Sequence, residues 1–195
     1  MGLEEEQKLV ERAKTDQQAF GMLFDTYYPP ILNYILHRVG DVATAEDLTS
    51  VVFFKAWNSL PKFEWRSVPF RAWLYRIASN EVNSYFRQKK TKPSSLEALF
   101  EETGFEFPST INIEEDYIAY EDLLLKHQDF QLVHRLVLDL PLKYQEILVL
   151  RYFEKKSLLD IVELTDKKMN TVKSLLARGT TKLHKAFTSH KRLHP

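Results

Sequence analysis

One stretch of the sequence decides the fold: Phe70-Arg71-Ala72-Trp73-Leu74-Tyr75-Arg76-Ile77-Ala78-Ser79-Asn80, which runs on to Arg87-Gln88-Lys89-Lys90. Trp73 is three residues from Arg76 and four from Ile77, so these side chains are neighbours on a helix. Aromatic rings stack on unpaired bases for about 1–3 kcal/mol per base, and cations follow the phosphates. The stretch predicts either a helix that binds single-stranded nucleic acid or a core helix with solvated arginines, and taken alone it favours neither.

The composition describes an ordinary globular chain. Its 195 residues allow one large or two small domains, and 44% of them are hydrophobic, which argues against overall disorder. The absence of cysteine excludes disulfides, thiolate metal sites and cysteine nucleophiles, and it fits a reducing compartment. We expect no signal peptide and no membrane insertion, because no long apolar run occurs, and we therefore expect a cytoplasmic protein.

The charges are segregated along the chain, although 27 basic and 27 acidic residues give a net charge of zero. Residues 66–92 hold seven basic residues and one acid (+6), and residues 167–195 hold eight basic residues and no acid (+8). Between them, residues 93–125 hold nine acids and no lysine or arginine (−9). Because local potential steers partners, this pattern predicts two cationic modules joined by an acidic linker.

Helical signals fill the first half of the chain. Asp16 is a predicted N-cap for a helix from Gln17, and Gly40 suits a left-handed C-terminal cap. Pro29-Pro30 is expected to kink or interrupt this helix, because each ring removes an N–H and crowds the preceding turn. A capping-box spacing at Thr44-Ala45-Glu46-Asp47 predicts the start of the next helix, which should reach about Leu60.

The second half ends in a predicted helix-turn-helix. A capping box at Ser157 starts a short helix, Thr165–Lys168 forms a polar break, and Asn170 is the expected cap of a longer basic helix. The N-terminal residues of such a helix enter the major groove. The candidates for base or phosphate contact are Asn170, Thr171, Lys173, Ser174 and Arg178. The alternative is a generic helical hairpin, but the lack of acids from residue 167 onward favours DNA.

Taken together, the two modules make the chain resemble a bacterial RNA polymerase sigma factor of the small extracytoplasmic-function (ECF) type. The matching stretches include Ala45-Glu46-Asp47-Leu48, Lys55-Ala56-Trp57, Trp73-Leu74-Tyr75-Arg76-Ile77-Ala78, Tyr144–Phe153 and Thr171–Arg178. The resemblance implies an all-α fold with a sigma-2 helical bundle over residues 1–91, an acidic linker over 92–128 and a sigma-4 helix-turn-helix domain over 129–195. It covers nearly the whole chain except the linker.

The resemblance also implies roles for individual residues. Glu46, Asp47 and Leu48 would dock on core RNA polymerase, although acids in a first helical turn could equally be dipole-stabilising surface charge. The residues expected to capture a flipped base of the downstream promoter element are Phe63, Ser67, Phe70 and Asn80. Those expected along the strand-melting helix and its phosphate contacts are Arg71, Trp73, Tyr75, Arg76, Arg87, Lys89 and Lys90, where Trp73 fits a core position equally well. Lys173, Ser174 and Arg178 would contact the upstream element.

Some positions depart from the family pattern. The helix-turn-helix turn carries Asp166 and Lys167 where a glycine and an apolar residue are usual, and Leu175 stands where an arginine is common. All three residues lie in the domain that is expected to contact the upstream element.

Two other classes of protein compete with this interpretation. An enzyme is disfavoured because no glycine-rich phosphate loop and no nucleophile elbow occur and the six histidines are scattered, so we expect no cofactor and no metal. A stand-alone helix-turn-helix regulator would explain the second half and leave Phe70–Lys90 unexplained. The expected partners are core RNA polymerase, promoter DNA and, by family analogy alone, an anti-sigma factor.

Overall fold

The computed structural model describes residues 2–65, 69–90 and 130–193, and all regular structure in these ranges is helical. The first domain contains α1 (Leu3–Ala13), α2 (Gln17–Val39), α3 (Val42–Ser59), a 3₁₀ turn (Leu60–Lys62) and α4 (Phe70–Lys90). The second contains α5 (130–138), α6 (Leu142–Leu148), a π-helical turn (Val149–Phe153), α7 (Leu158–Thr165) and α8 (Met169–Leu193). The predicted linker over 92–128 lies outside the described residues.

The predicted ends of α2 are confirmed. The Asp16 carboxylate accepts a hydrogen bond from the Gln18 N–H at 2.9 Å, which satisfies one of the unpaired donors of the first turn. Gly40 adopts φ +76°, and its N–H donates to the Leu36 carbonyl at 2.8 Å. Glycine suits this left-handed cap because it has no Cβ.

An interruption of α2 at Pro29-Pro30 and a start of α3 at Thr44 do not occur. The helix α2 continues through Pro29-Pro30 without interruption. Two prolines in a helix interior cost about 3 kcal/mol or more each, but Leu23, Ile31 and Ile35 on the same helix are fully buried, and this burial offsets the cost. The helix α3 begins at Val42 rather than at Thr44, because Asp41 is its N-cap and accepts from the Thr44 N–H at 2.7 Å.

The helix-turn-helix forms with one shift at the start of its second helix. Ser157 and Asp160 make the predicted capping box at the start of α7. Asp166 takes the left-handed conformation, φ +57°, that a glycine usually supplies there. The helix α8 begins at Met169, so Asn170 lies in its first turn and the prediction that Asn170 is the cap is wrong.

The two domains contact each other through α2 and α4 on one side and α5, α6 and α7 on the other. Arg38 is fully buried, and its Nε donates to the Gln145 Oε1 across the contact at 2.7 Å. The same guanidinium donates to the Tyr34 hydroxyl at 2.7 Å and to Asn83 Oδ1 at 3.3 Å. A buried charge is tolerated only with such partners, so the Arg38 bonds tie the first domain to α6.

Candidate nucleic-acid interface

The inner face of α4 is part of the hydrophobic core. Phe70 is 0% exposed, and Phe63 and Tyr75 are 8% and 4% exposed. The Phe63 ring centroid lies 4.8 Å from that of Trp73, at a tilt of 45°, and 5.9 Å from that of Phe70 in an edge-to-face arrangement, so these aromatics pack against one another. In this conformation the rings of Phe63, Phe70 and Tyr75 are buried, and their contact with DNA stays a prediction.

The outer face of α4 carries the polar candidates. Arg71, Asn80 and Arg87 are exposed, and Trp73, Arg76 and Lys89 are partly buried. Ser67 and the side chain of Lys90 lie outside the described residues. Asn80 and Arg87 are seven residues apart on one side of the helix, opposite the buried Ala78 and Val82, whereas Arg71 is exposed in the first turn.

A buried carboxylate of α1 positions the start of α4. Glu6 is 4% exposed, and its Oε1 accepts from the Arg71 N–H at 3.3 Å and from the Tyr27 hydroxyl. Burial raises the pKa of Tyr27, and the bond to Glu6 raises it further. The phenol therefore stays a neutral donor, and the Glu6 carboxylate holds the N-terminal end of the basic helix in place.

The cations of α4 face acidic groups of α7. Arg71 donates to Glu163 Oε1 from Nε at 3.2 Å and from Nη2 at 3.0 Å, and its Nη2 lies 3.5 Å from Asp160 Oδ1. Partial burial alone would lower the pKa of Arg71, but the bond to Glu163 and the charges of Glu163 and Asp160 raise it. Arg76 Nη2 lies 3.3 Å from Asp166 Oδ1 and donates to the Glu163 carbonyl oxygen at 3.3 Å.

A small polar cavity of about 150 Å³ lies between the domains at the same place. Lys167 donates to Glu146 Oε2 at 3.0 Å, and Ser79 donates to the other oxygen of that carboxylate. The residues that line the cavity include Arg76, Ser79, Asn80, Asn83, Glu146 and Lys167. Sequence reasoning missed Glu146 and Glu163; the one available signal was Lys167, whose charge at a usually apolar position needs a partner.

A second surface lies on α3. Glu46 and Asp47 are exposed as predicted, and Leu48 is partly buried. Beside them Val51 and Phe54 are 39% and 68% exposed. Large exposed apolar side chains next to charges are typical of a protein-docking surface. The sequence analysis missed Phe54, although its position seven residues after Asp47 puts both on one helical face.

The first turns of α8 form the third surface. The five predicted contact residues are all exposed: Asn170, Thr171, Lys173, Ser174 and Arg178. Val172 is fully buried and holds this helix on its domain. An open groove of about 540 Å³ runs beside it, lined in part by Tyr152, Lys173, Leu176 and His184. The helix therefore presents a polar, cationic N-terminal face to solvent, as a recognition helix does.

Metal-binding clusters and membrane-spanning helices are absent from the part of the chain that the structure describes. Within ranges 2–65, 69–90 and 130–193, no group of three or more His, Cys, Asp or Glu side chains could hold a metal ion. In the same part of the chain, no helix is both long enough and apolar enough to span a membrane.

Family models and relatives agree with both domains. The model "Sigma-70 region 2" matches residues 23–92, and "Sigma-70, region 4" matches residues 130–183. The chain is 30% identical to the ECF RNA polymerase sigma factor SigW of Bacillus subtilis over 88% of this chain and 90% of the relative. It is 32% identical to the ECF RNA polymerase sigma-E factor of Escherichia coli K12 over 89% and 90%.

Solved structures support the fold. One is CnrH in complex with the cytosolic domain of CnrY, with a TM-score of 0.64 and 19% identity over 94% of this chain and 97% of that chain. Another is the sigma factor RpoE in complex with the anti-sigma factor NepR from Bartonella quintana, with a TM-score of 0.56 and 19% identity over 87% and 96%.

Proposed function

Because the chain belongs to the ECF group of RNA polymerase sigma factors, we infer that it binds core RNA polymerase and directs initiation at specific promoters. It is an initiation factor rather than a catalyst. The observation that carries the assignment of surfaces is the division of α4 into a buried aromatic face and an exposed cationic face. That division supports a domain of residues 1–91 that grips DNA with the outer face of α4, a linker of 92–128 and an upstream-reading domain of 129–195.

The outer face of α4 is proposed to hold the separated strand. Arg71, Arg76 and Arg87 supply cations at intervals along the helix, and such contacts hold phosphates without reading sequence. Asn80 is exposed between them and carries an amide that can donate to and accept from a base edge. Trp73 is half-buried against Phe63, which leaves part of its ring beside this face.

The α3 surface is proposed to dock on core polymerase. Glu46 and Asp47 supply negative charge, and Val51 and Phe54 supply apolar area beside it. Charges steer the encounter, and a desolvated aromatic side chain contributes most of the affinity in such interfaces. We extend the predicted docking surface from Leu48 to Phe54 on this ground.

The N-terminal face of α8 is proposed to read the upstream promoter element. Ser174 and Arg178 are four residues apart and share one face of the helix, and Lys173 precedes Ser174 at the edge of that face, so all three can reach one groove of the duplex. The acid-free charge of residues 167–195 adds a sequence-independent attraction to phosphates.

We also propose an anti-sigma partner and a cytoplasmic location. The solved structures with the same fold hold CnrH with CnrY and RpoE with NepR. The polymerase that such factors serve is in the cytoplasm.

Run-off transcription from a genomic library tests the proposal. Purified core polymerase with this protein should yield transcripts that core polymerase alone does not. The Phe54→Ala variant should lose them through weaker core binding, whereas Met22→Ala, an exposed apolar residue on α2, serves as the matched control. Duplex promoter binding that is independent of core polymerase, without added transcripts, would instead favour a stand-alone regulator.

A further inference from the structure

The outer face of α4 has a gap in positive charge at its middle. Arg76, Asn80, Asn83 and Arg87 follow one another at three- or four-residue steps, so they form one stripe along the helix. Arg76 and Arg87 are eleven residues apart, which is about 16 Å along the helix axis, and no lysine or arginine lies between them. A strand that follows this stripe carries several phosphates across the gap, because stacked nucleotides are about 3.4 Å apart.

The guanidinium of Arg38, on the neighbouring helix α2, lies beside this gap. Its Nη2 donates to Asn83 Oδ1 at 3.3 Å, and Asn83 is a member of the stripe. Its Nη1 donates to the Tyr34 hydroxyl and its Nε to Gln145 Oε1, both at 2.7 Å. A cation of α2 therefore stands at the part of the stripe where α4 itself supplies only amides.

The charge of Arg38 has no acidic partner in this conformation. Arg38 is fully buried, and within residues 2–65, 69–90 and 130–193 it forms no ion pair. Burial raises the pKa of Tyr34 to about 12, although the charge of Arg38 opposes this, so the phenol stays neutral near pH 7. Burying an ion without a counter-ion costs free energy that neutral acceptors recover only in part. The contact with α6 alone therefore does not explain why this residue is charged.

We propose that Arg38 binds a phosphate of the separated DNA strand, at the position that the Gln145 amide oxygen occupies in this conformation. The inference rests on the proposed function, because it requires a strand along the outer face of α4. It deepens that function by adding a residue of α2 to a strand-binding surface that α4 otherwise forms alone.

The hydrogen bonds of Arg38 divide between the two domains in a way that suits this role. Tyr34 and Asn83 belong to the same domain as Arg38, so their bonds hold the guanidinium in one orientation whether or not α6 is present. Gln145 belongs to α6 and accepts only from Nε. When α6 moves away, the Nε–H of an oriented guanidinium becomes available. A phosphate oxygen is a stronger acceptor there than an amide oxygen, because it carries charge.

The salt dependence of DNA binding tests the contact. The probe is a labelled promoter fragment recovered by run-off transcription and prepared with a mismatched central segment, so that its strands are already separated. Polymerase holoenzyme with the wild-type chain or with Arg38→Gln is titrated against this probe at several salt concentrations. Loss of one charged contact should weaken binding about tenfold. It should also reduce the slope of log K against log salt concentration by about 0.7, the value for one phosphate of a single strand.

The matched control is Gln145→Ala, which removes the other partner of the same hydrogen bond between the domains. The chain has no cysteine, so Ser59→Cys and Ser189→Cys create unique sites for a donor and an acceptor fluorophore on the two domains. Both Arg38→Gln and Gln145→Ala should lower energy transfer in the free chain, but only Arg38→Gln should change DNA binding by the holoenzyme. An unchanged salt slope in Arg38→Gln, or an equal change in both variants, overturns the phosphate contact.

A second variant keeps the test decisive if Arg38→Gln loses its helical circular dichroism. In Asn83→Asp the new carboxylate would pair with Arg38 inside the folded domain, so the salt slope should fall as it does when Arg38 is lost. Ser84→Asp adds the same charge at the next residue of α4, which makes no hydrogen bond to Arg38, and should change the slope less; equal changes contradict the contact. If the wild-type chain yields no promoter in run-off transcription, the proposed function is wrong. Normal wild-type binding with unchanged slopes in the variants refutes the Arg38 contact alone.

Discussion

The two helices predicted to contact DNA differ in how they meet the rest of the molecule. The N-terminal face of α8 is open to solvent, whereas the cationic face of α4 is paired with α7. Both helices carry the same kind of residues, so composition does not explain the difference. The difference shows that the accessibility of a DNA-binding surface depends on domain arrangement as well as on side chains.

The largest effect is expected on the inner face of α4. Phe70→Ala should lower the free energy of unfolding by about 3–5 kcal/mol, because a fully buried ring would leave a cavity. Denaturant unfolding measures this change. Arg87→Ala on the exposed face is the matched control and should change stability little; comparable losses would contradict the division of α4 into two faces.

A smaller effect is expected on the open helix. Arg178→Ala should weaken binding to the upstream promoter element by about 1–3 kcal/mol, the range for a lost base contact. Binding of polymerase holoenzyme to promoter duplex measures this loss. Lys185→Ala, an exposed cation two turns further along α8, should cost less and act equally on all sequences. Identical losses for both variants would contradict the proposal that Arg178 contacts a base.

A further variant tests the covered helix directly. Asn80→Ala should raise the free-energy barrier of promoter opening by about 1 kcal/mol, which is the net contribution of one hydrogen bond, while core binding stays unchanged. Permanganate reactivity of unpaired thymines reports opening, and co-elution with core polymerase reports binding. Equal losses in both measurements would count against a base contact at Asn80.

The smallest effect is expected from pH. His134 contacts the first domain through its Nε2, which lies 3.1 Å from the His37 carbonyl oxygen, and its ring packs on Phe153 of its own domain. Burial lowers the pKa of His134, the bond to the His37 carbonyl opposes this, and the charge of His37 adds to it. Glu154 also faces this contact, and its Oε1 lies 3.0 Å from His37 Nδ1.

The direction of the pH effect on the domain contact follows from proton binding by His134. Opened His134 binds a proton more readily than buried His134, so the contact is fully stable above the ordinary pKa of about 6.5 and weakens as pH falls below it. Energy transfer between labelled domains should therefore drop from pH 7.5 to about 5.5. His134→Gln, which keeps a donor and cannot titrate, should remove this part of the response. If the pH response is unchanged in that variant, groups other than His134 cause the response.

Local rules predicted most of the helix ends. Asp16 and Ser157 cap their helices because a carboxylate or hydroxyl reaches an unpaired N–H within three residues, which is a short-range geometry. The lack of an interruption at Pro29-Pro30 and the start of α3 before Thr44 have two causes. Tertiary burial outweighed the proline penalty in α2, and Asp41 competed successfully for the N-cap of α3.

The candidate sites were predictable in part. Exposure of Asn170, Thr171, Lys173, Ser174 and Arg178 follows from the helical period, because Val172 is the apolar residue that faces inward. The burial of Phe63, Phe70 and Tyr75 was not predictable, because aromatic residues suit both stacking on bases and filling a core.

By itself, the sequence determined the all-helical architecture, the two cationic modules and the family resemblance, because caps, apolar periodicity and charge runs act over a few neighbouring residues. Only the tertiary structure decided that Arg71 and Arg76 meet Glu163 and Asp166, and that Phe54 stands exposed beside Asp47. Pairs almost a hundred residues apart meet because two domains pack in one orientation. That orientation depends on the summed contacts of whole surfaces, which no local pattern records.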